Sequence, residues 1–218
     1  MPTYNEESVL VKTLCQIALE REAHEIIIVD GGSLDQTIHR AHIYGKVYTS
    51  SKGRSKQMNE GARFARGDIL LFLHADTIFE DGSLTQIRHA VQDGFIGGCF
   101  CQKIDETSFI FRCIESSGNI RARLRNVFYG DQGIFVRKDI FDQLHGYRDI
   151  ELFEDVDFSI RLRKMGPLKV LSKRLWVSGR RWRRYGIVKA TLINRFLLLL
   201  FRIRIPVRYL IRMYPDVR

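Results

Sequence analysis

Two kinds of side chain in this sequence could do chemistry together: carboxylates that follow short apolar runs, and basic residues set around a glycine. Asp30 closes Glu25-Ile26-Ile27-Ile28-Val29 and is followed by Gly31-Gly32-Ser33. His74, Asp76 and Thr77 follow Ile69-Leu70-Leu71-Phe72-Leu73, and Lys52 and Arg54 flank Gly53. A carboxylate at the carboxyl end of a strand can hold a divalent cation through oxygen, or accept a hydrogen bond from a sugar or phosphate group. It can equally cap the next helix. A basic turn beside two carboxylates suits a metal-bound diphosphate, because the cation and Lys/Arg neutralise phosphate while the acids hold the metal or a ribose. Glu154, Asp155 and Asp157 form a further acidic group. Standing in or before a helix's first turn they complement its dipole, and taken alone they read that way.

The elements that would carry these residues follow from pattern. Ile69–Leu73 is too short for a stable helix and lies between Gly67-Asp68 and a polar exit, so it reads as a buried strand. Strands over 25–29 and 46–50 and helices over 8–19, 35–42, 52–66 and 83–92 complete three rounds of strand, turn and helix. That alternation predicts an α/β protein with a mostly parallel sheet flanked by helices, its turns at Asp30, Lys52, Arg54 and Asp76 on one edge. GxGxxG and Walker patterns are absent, which argues against a dinucleotide or P-loop site. Further on, the pattern predicts strands at 97–102, 134–136, 168–171 and 175–178 and helices at 109–126 and 138–144. A helix ended by Gly166-Pro167 and an apolar helix over 187–201 follow, with a break at Pro206.

The net charge of +10 divides the chain unevenly. Up to residue 160 there are 18 Lys+Arg against 24 Asp+Glu; from Arg161 onward there are 17 against one. A basic tail beside Phe, Leu and Ile points to an anionic membrane surface or an acidic acceptor rather than nucleic acid, with a dimer contact through 187–214 as the other reading. Cys15, Cys99, Cys101 and Cys113 form no CxxC pair, so neither a thiolate metal site nor a disulfide framework is expected. A cytoplasmic protein, at most peripheral on the inner face of the membrane, is the expectation.

Together the motifs resemble an inverting family-2 glycosyltransferase of the GT-A (Rossmann-like) fold. They are Pro2-Thr3-Tyr4-Asn5-Glu6, Val29-Asp30-Gly31-Gly32-Ser33 with Asp35 and Thr37, Gly53-Arg54, Leu73-His74-Ala75-Asp76-Thr77 and Glu154-Asp155, in the family's order over residues 2–166. The Leu-His-Ala-Asp-Thr motif and the Gly130-Asp131-Gln132-Gly133 segment are most similar to a small bacterial branch. The resemblance implies a donor half over about 1–100, an acceptor and catalytic half over about 101–178, and a basic helical extension over 179–218. It implies that Pro2, Thr3, Tyr4 and Glu6 line the base and ribose pocket of a UDP- or GDP-sugar, with Asp30 on the base and Lys52 and Arg54 near nucleotide or phosphate. Asp76 would hold Mg2+ or Mn2+ on the diphosphate, joined or not by His74, which replaces the first acid of the family's metal motif. Asp155 would be the base that deprotonates the acceptor hydroxyl, with Glu154 orienting it or contacting the acceptor; the acceptor would be a lipid-linked group or a saccharide. Arg181-Trp182 is similar to part of a motif of processive relatives, but Ser178 stands where that motif has Gln.

Family members carry a strand just before the Pro-Thr-Tyr-Asn-Glu turn, and here that first strand is expected to be missing. Impaired folding or nucleotide binding follows, to be relieved by about ten upstream residues. A nucleotidyltransferase would want a Gly-rich basic loop in place of Pro2–Glu7. A non-catalytic sugar-nucleotide-binding relative remains a second reading.

Overall fold

The computed structural model describes residues 1–214, without the side chain of Arg181. The amino-terminal part is built from β1 (Pro2–Thr3), α1 (Leu10–Ala18), β2 (Ile27–Asp30), α2 (Thr37–Ala41), β3 (Lys46–Thr49) and α3 (Arg54–Phe64). These are followed by β4 (Ile69–Phe72), β5 (Ile78–Phe79), α4 (Ser83–Gln92), β6 (Gly97–Ile104) and α5 (Phe109–Arg125). A 3-10 turn over Gly130–Gln132 leads into β7 (Ile134–Arg137), α6 (Lys138–Gln143), α7 (Glu154–Leu162) and β8 (Leu168–Val177). The carboxyl-terminal part holds α8 (Arg180–Tyr185), α9 (Ile187–Arg202) and α10 (Val207–Leu210).

Two sheets form instead of one. β1, β2 and β3 pair in that order, all parallel. β4, β7, β6, β8 and β5 make a second, mixed sheet in which only β6 and β8 run parallel. The parallel arrangement therefore holds for the first three strands, while β4 pairs with β7 antiparallel. The expectation that the first strand is missing is corrected only in part. Pro2 and Thr3 form a two-residue strand against Val29 and Asp30, too short to leave an apolar run in the sequence. Below it, β2 and β4 face each other across a cavity of about 970 Å3 lined by Met1, Ile27, Ile69 and Leu71.

A second correction concerns β8, which is continuous where two short strands were expected. Ser172, Lys173 and Arg174 interrupt its apolar pattern, but its pairing with β6 continues past an irregularity between Cys99 and Cys101. Gly98 permits this approach, since a Cβ there would lie 1.8 Å from the Lys169 carbonyl oxygen. Cys99 and Cys101 are both buried. The core lies on both faces of the second sheet, with Phe72, Phe128, Phe141 and Phe158 in one cluster and Phe79, Phe100 and Phe135 in the other. α9 and α10 add a smaller cluster in which Leu197, Leu198 and Leu210 cover Leu152, Phe153 and Val156. No helix among the described residues is long and apolar enough to cross a membrane.

Candidate active site

The acids at the start of α7 are sorted by the turn that delivers them. Phe153 sits in the left-handed region at φ 64, a costly conformation for an aromatic residue, and its ring is held 5.3 Å from that of Phe201 in α9. After that turn, Glu154 and Asp155 enter a pocket of about 300 Å3, whereas Asp157 points to Arg148 and Arg161 at 3.1 and 2.8 Å. Asp157 is therefore structural.

Asp155 accepts hydrogen bonds at both carboxylate oxygens, Oδ1 from its neighbour Val156 N–H at 2.7 Å and Oδ2 from Gly130 N–H. Burial raises its pKa from the ordinary carboxylate value, and these amides together with Arg54 and Arg121 oppose the rise. Glu154 is buried, with Arg54 Nη1 3.8 Å from its Oε1. Arg54 heads α3 after Gly53, whose φ of +145 suits glycine alone.

The exit of β4 brings the second acid to the same pocket. Thr77 donates through both N–H and Oγ1 to the His74 carbonyl, and Thr13 Oγ1 donates to the Ala75 carbonyl at 2.7 Å, so the loop is fixed from two sides. His74 and Asp76 both line the pocket. Asp76 Oδ2 lies 3.2 Å from Arg180 Nη2 of α8, and the same guanidinium lies 3.4 Å from the Glu6 carboxylate.

Arg54, His74, Asp76, Glu154 and Asp155 are thus brought together, and Glu6 is joined to them through Arg180. Pro2, Thr3, Tyr4, Asp30 and Lys52 do not line this pocket; they sit at the adjoining ends of β1 and β2 and the turn after β3. Asp30 is fully buried with all its capacity taken locally: Gly32 and Ser33 N–H donate to Oδ1, and Thr3 and Ser33 hydroxyls to Oδ2. Gln57 Nε2 ties the Thr3 and Val29 carbonyls together at 2.7 and 2.8 Å. Lys52 Nζ stands 3.9 Å from the centre of the Tyr4 ring, a cation–π pair.

The described residues contain no group of three or more His, Cys, Asp and Glu side chains placed to hold a metal on their own. Asp76 with the nearby His74 still suits Mg2+ or Mn2+, since such ions are commonly held by one or two carboxylates while substrate phosphates and water fill the other positions.

Three contributors escaped the sequence reading. Asp131 lies beside Asp155 in the pocket, with Gln102 donating to its Oδ2 at 2.7 Å, while its Oδ1 is buried without a hydrogen-bond partner among the described residues. Burial lifts its pKa to about 6. Arg121 stacks 3.3 Å over the Tyr129 ring and donates to Gln132 Oε1, fixing the 3-10 turn that carries Asp131. The flanking glycines were the available signal: a Cβ on Gly130 would meet His74 Nε2 at 2.8 Å, and one on Gly133 would meet Phe100 at 2.9 Å. Arg180, hidden in the run Arg180–Arg184, had no signal to separate it from its neighbours.

The family model for glycosyl transferase family 2 matches residues 1–146. The PGL/p-HBAD biosynthesis glycosyltransferase of Mycobacterium tuberculosis is 28% identical over 177 residues, covering 74% of this chain and 67% of that protein. Poly-beta-1,6-N-acetyl-D-glucosamine synthase of Staphylococcus aureus is 26% identical over 189 residues, 75% of this chain and 44% of that one. Among solved structures, the mannosyltransferase PcManGT of Pyrobaculum calidifontis, in complex with GDP-Man and Mn2+, superposes with a TM-score of 0.68. It shares 15% identity over 92% of this chain and 62% of its own. S. aureus TarS 1-349 gives 0.66 at 14% identity, over 97% of this chain and 67% of its own.

Proposed function

We propose, from the premise that this chain belongs to glycosyl transferase family 2 and has the GT-A fold, a specific form of its glycosyltransferase activity. The sugar of a UDP- or GDP-sugar passes to an acceptor hydroxyl with inversion, assisted by a divalent cation. The observation that carries this reading is the convergence of Asp76, Arg54, Glu154 and Asp155 on one pocket, to which Arg180 also ties Glu6 of the turn after β1. That a similar fold holds GDP-Man and Mn2+ in PcManGT supports the donor and metal parts.

Within this reading Pro2, Thr3, Tyr4 and Glu6 line the nucleoside cleft. Asp30 shapes the loop that receives the base, and Lys52 and Arg54 face the phosphates. Asp76 and His74 would hold Mg2+ or Mn2+, which when bound neutralises charge on the leaving diphosphate. Arg180 already stands as a cation against Asp76 and Glu6, and a diphosphate offers it a more strongly charged partner. Asp155, with its raised proton affinity, takes the acceptor hydroxyl's proton as that oxygen attacks the anomeric carbon from the face opposite the diphosphate. Glu154 holds Arg54 close to the reacting centre. One carboxylate base suffices, and no covalent sugar intermediate is needed. Residues 1–100 serve the donor, 101–178 the acceptor, and the basic segment from 179 onward makes peripheral contact with a membrane.

Thermal melting in the presence of nucleotide sugars, with and without Mn2+, tests the assignment. A raised Tm with a UDP- or GDP-sugar, larger with Mn2+, is expected. No shift with any nucleotide sugar would sink it, and a shift without turnover would favour a non-catalytic sugar-nucleotide binder.

A further inference from the structure

The mouth of the pocket has an unusual rim. One side is α5, which contributes Ile114, Ser117, Gly118 and Arg121; the other is α9, which contributes Ala190, Thr191, Asn194 and Arg195. Arg195 donates to Ser117 Oγ at 3.5 Å, so the two helices meet there. Each buries one face and leaves an apolar stripe on the opposite one. On α9 and its C-cap residue, Val188, Leu192, Phe196, Leu199 and Ile203 recur at intervals of three or four residues and are all at least half exposed. On α5, Phe109, Ile120 and Leu124 are more than half exposed, Phe109 at 80% and Leu124 at 78%. Exposed apolar surface of this extent on neighbouring helices marks an interaction face.

Charge decides between its possible occupants. The stripes lie in or beside a segment with 17 Lys+Arg against one acid from Arg161 onward, and α9, α10 and the turns between them contribute Arg195, Arg202, Arg204 and Arg208. A symmetric dimer through this face would press two such segments together, because the same patch meets itself. An anionic bilayer instead neutralises the arginines at its headgroups while the stripes enter the acyl boundary. The same pocket that holds Asp155 is lined in part by the apolar side chains of Leu152, Phe153, Val177 and Trp182.

We propose that the α5–α9 rim seats the protein on an anionic lipid bilayer with the pocket mouth at its surface, and that the acceptor is a hydroxyl-bearing group carried on a lipid. The seating uses both helices. The second clause rests on the transferase reading above.

Vesicle flotation separates the two, because it needs neither donor nor turnover. Vesicles of phosphatidylcholine alone and with a third phosphatidylglycerol are compared for the parent chain, Leu192→Glu/Phe196→Glu on α9, and Ile120→Glu/Leu124→Glu on α5. The parent is expected to bind the anionic vesicles at least tenfold more strongly, weakening in high salt, and each double variant to lose about tenfold while keeping the parent's Tm. Parent-like binding by the α5 variant would overturn the two-helix platform. Absence of binding by the parent, or a solution dimer that the α9 variant abolishes, would overturn the membrane assignment. For the acceptor, radiolabelled nucleotide sugar is incubated with the protein and vesicles of a bacterial total-lipid extract. Label extracted into the organic phase is expected. Label confined to water-soluble product overturns the lipid-carried acceptor, and no transfer at all, with the donor-induced thermal shift also absent, overturns the transferase reading with it.

Discussion

The loop after β2 and the turn before α7 both present a carboxylate at a sheet edge, and they use it in opposite ways. Asp30 is buried with both oxygens filled by two amides and two hydroxyls of its own neighbourhood, so it shapes a loop. Among the described residues Asp155 receives two amides, is lifted by burial, and has beside it Asp131, one of whose oxygens has no hydrogen-bond partner there. A saturated carboxylate builds geometry; an undersatisfied one at a pocket keeps proton affinity available for chemistry. The contrast also separates stability from activity, which variants at the two places can test.

The largest effect is expected at the turn before α7. Asp155→Asn removes the base while keeping its size, and transfer should fall by roughly 10^2- to 10^4-fold with Tm nearly unchanged. Parent-like turnover would end the assignment. Asp76→Ala should cost transfer on the order of 10^2-fold and remove the extra Tm gained with Mn2+ in the presence of donor. Asp30→Ala should reverse the pattern: several buried donors lose their acceptor, and stability should fall by about 2–3 kcal/mol in urea unfolding. An unchanged midpoint there would mean that Asp30 does not organise its loop.

The smallest effect is a pH dependence at Asp131. Its folded pKa of about 6 lies above the ordinary value of 3.8, so the folded state binds this proton more tightly. Asp131 therefore costs no stability below about pH 4, and the cost grows as pH rises from about 4 to 6. Asp131→Asn should flatten the stability curve across that window relative to the parent. Identical curves would show that Asp131 titrates normally.

Much of this site was legible because each acid closed or followed an apolar run or opened a helix, and such positions converge at sheet edges. Asp76 and Asp155 meet in one pocket although 79 positions separate them. The sheet was less legible. Periodicity reports that Ile69–Phe72 is a strand but not that its partner is Ile134–Arg137 running the other way, since register is decided by packing. Pro2–Thr3 gave no strand signal because two residues carry no pattern, and β8 was divided because its middle residues are polar. Arg180 was hidden for a different reason. It owes its place to Glu6 and Asp76, tertiary partners that no local spacing announces, whereas Asp131 was signalled only by the glycines that flank it in Gly130-Asp131-Gln132-Gly133.

The central claim, direct displacement with Asp155 as the single base, is tested most directly by the anomeric configuration of the transferred sugar. Proton NMR of the product formed from a UDP- or GDP-sugar should show the configuration opposite to that of the donor. Retention of the donor's configuration would contradict the account, because it would require either a covalent intermediate or attack from the diphosphate's own face.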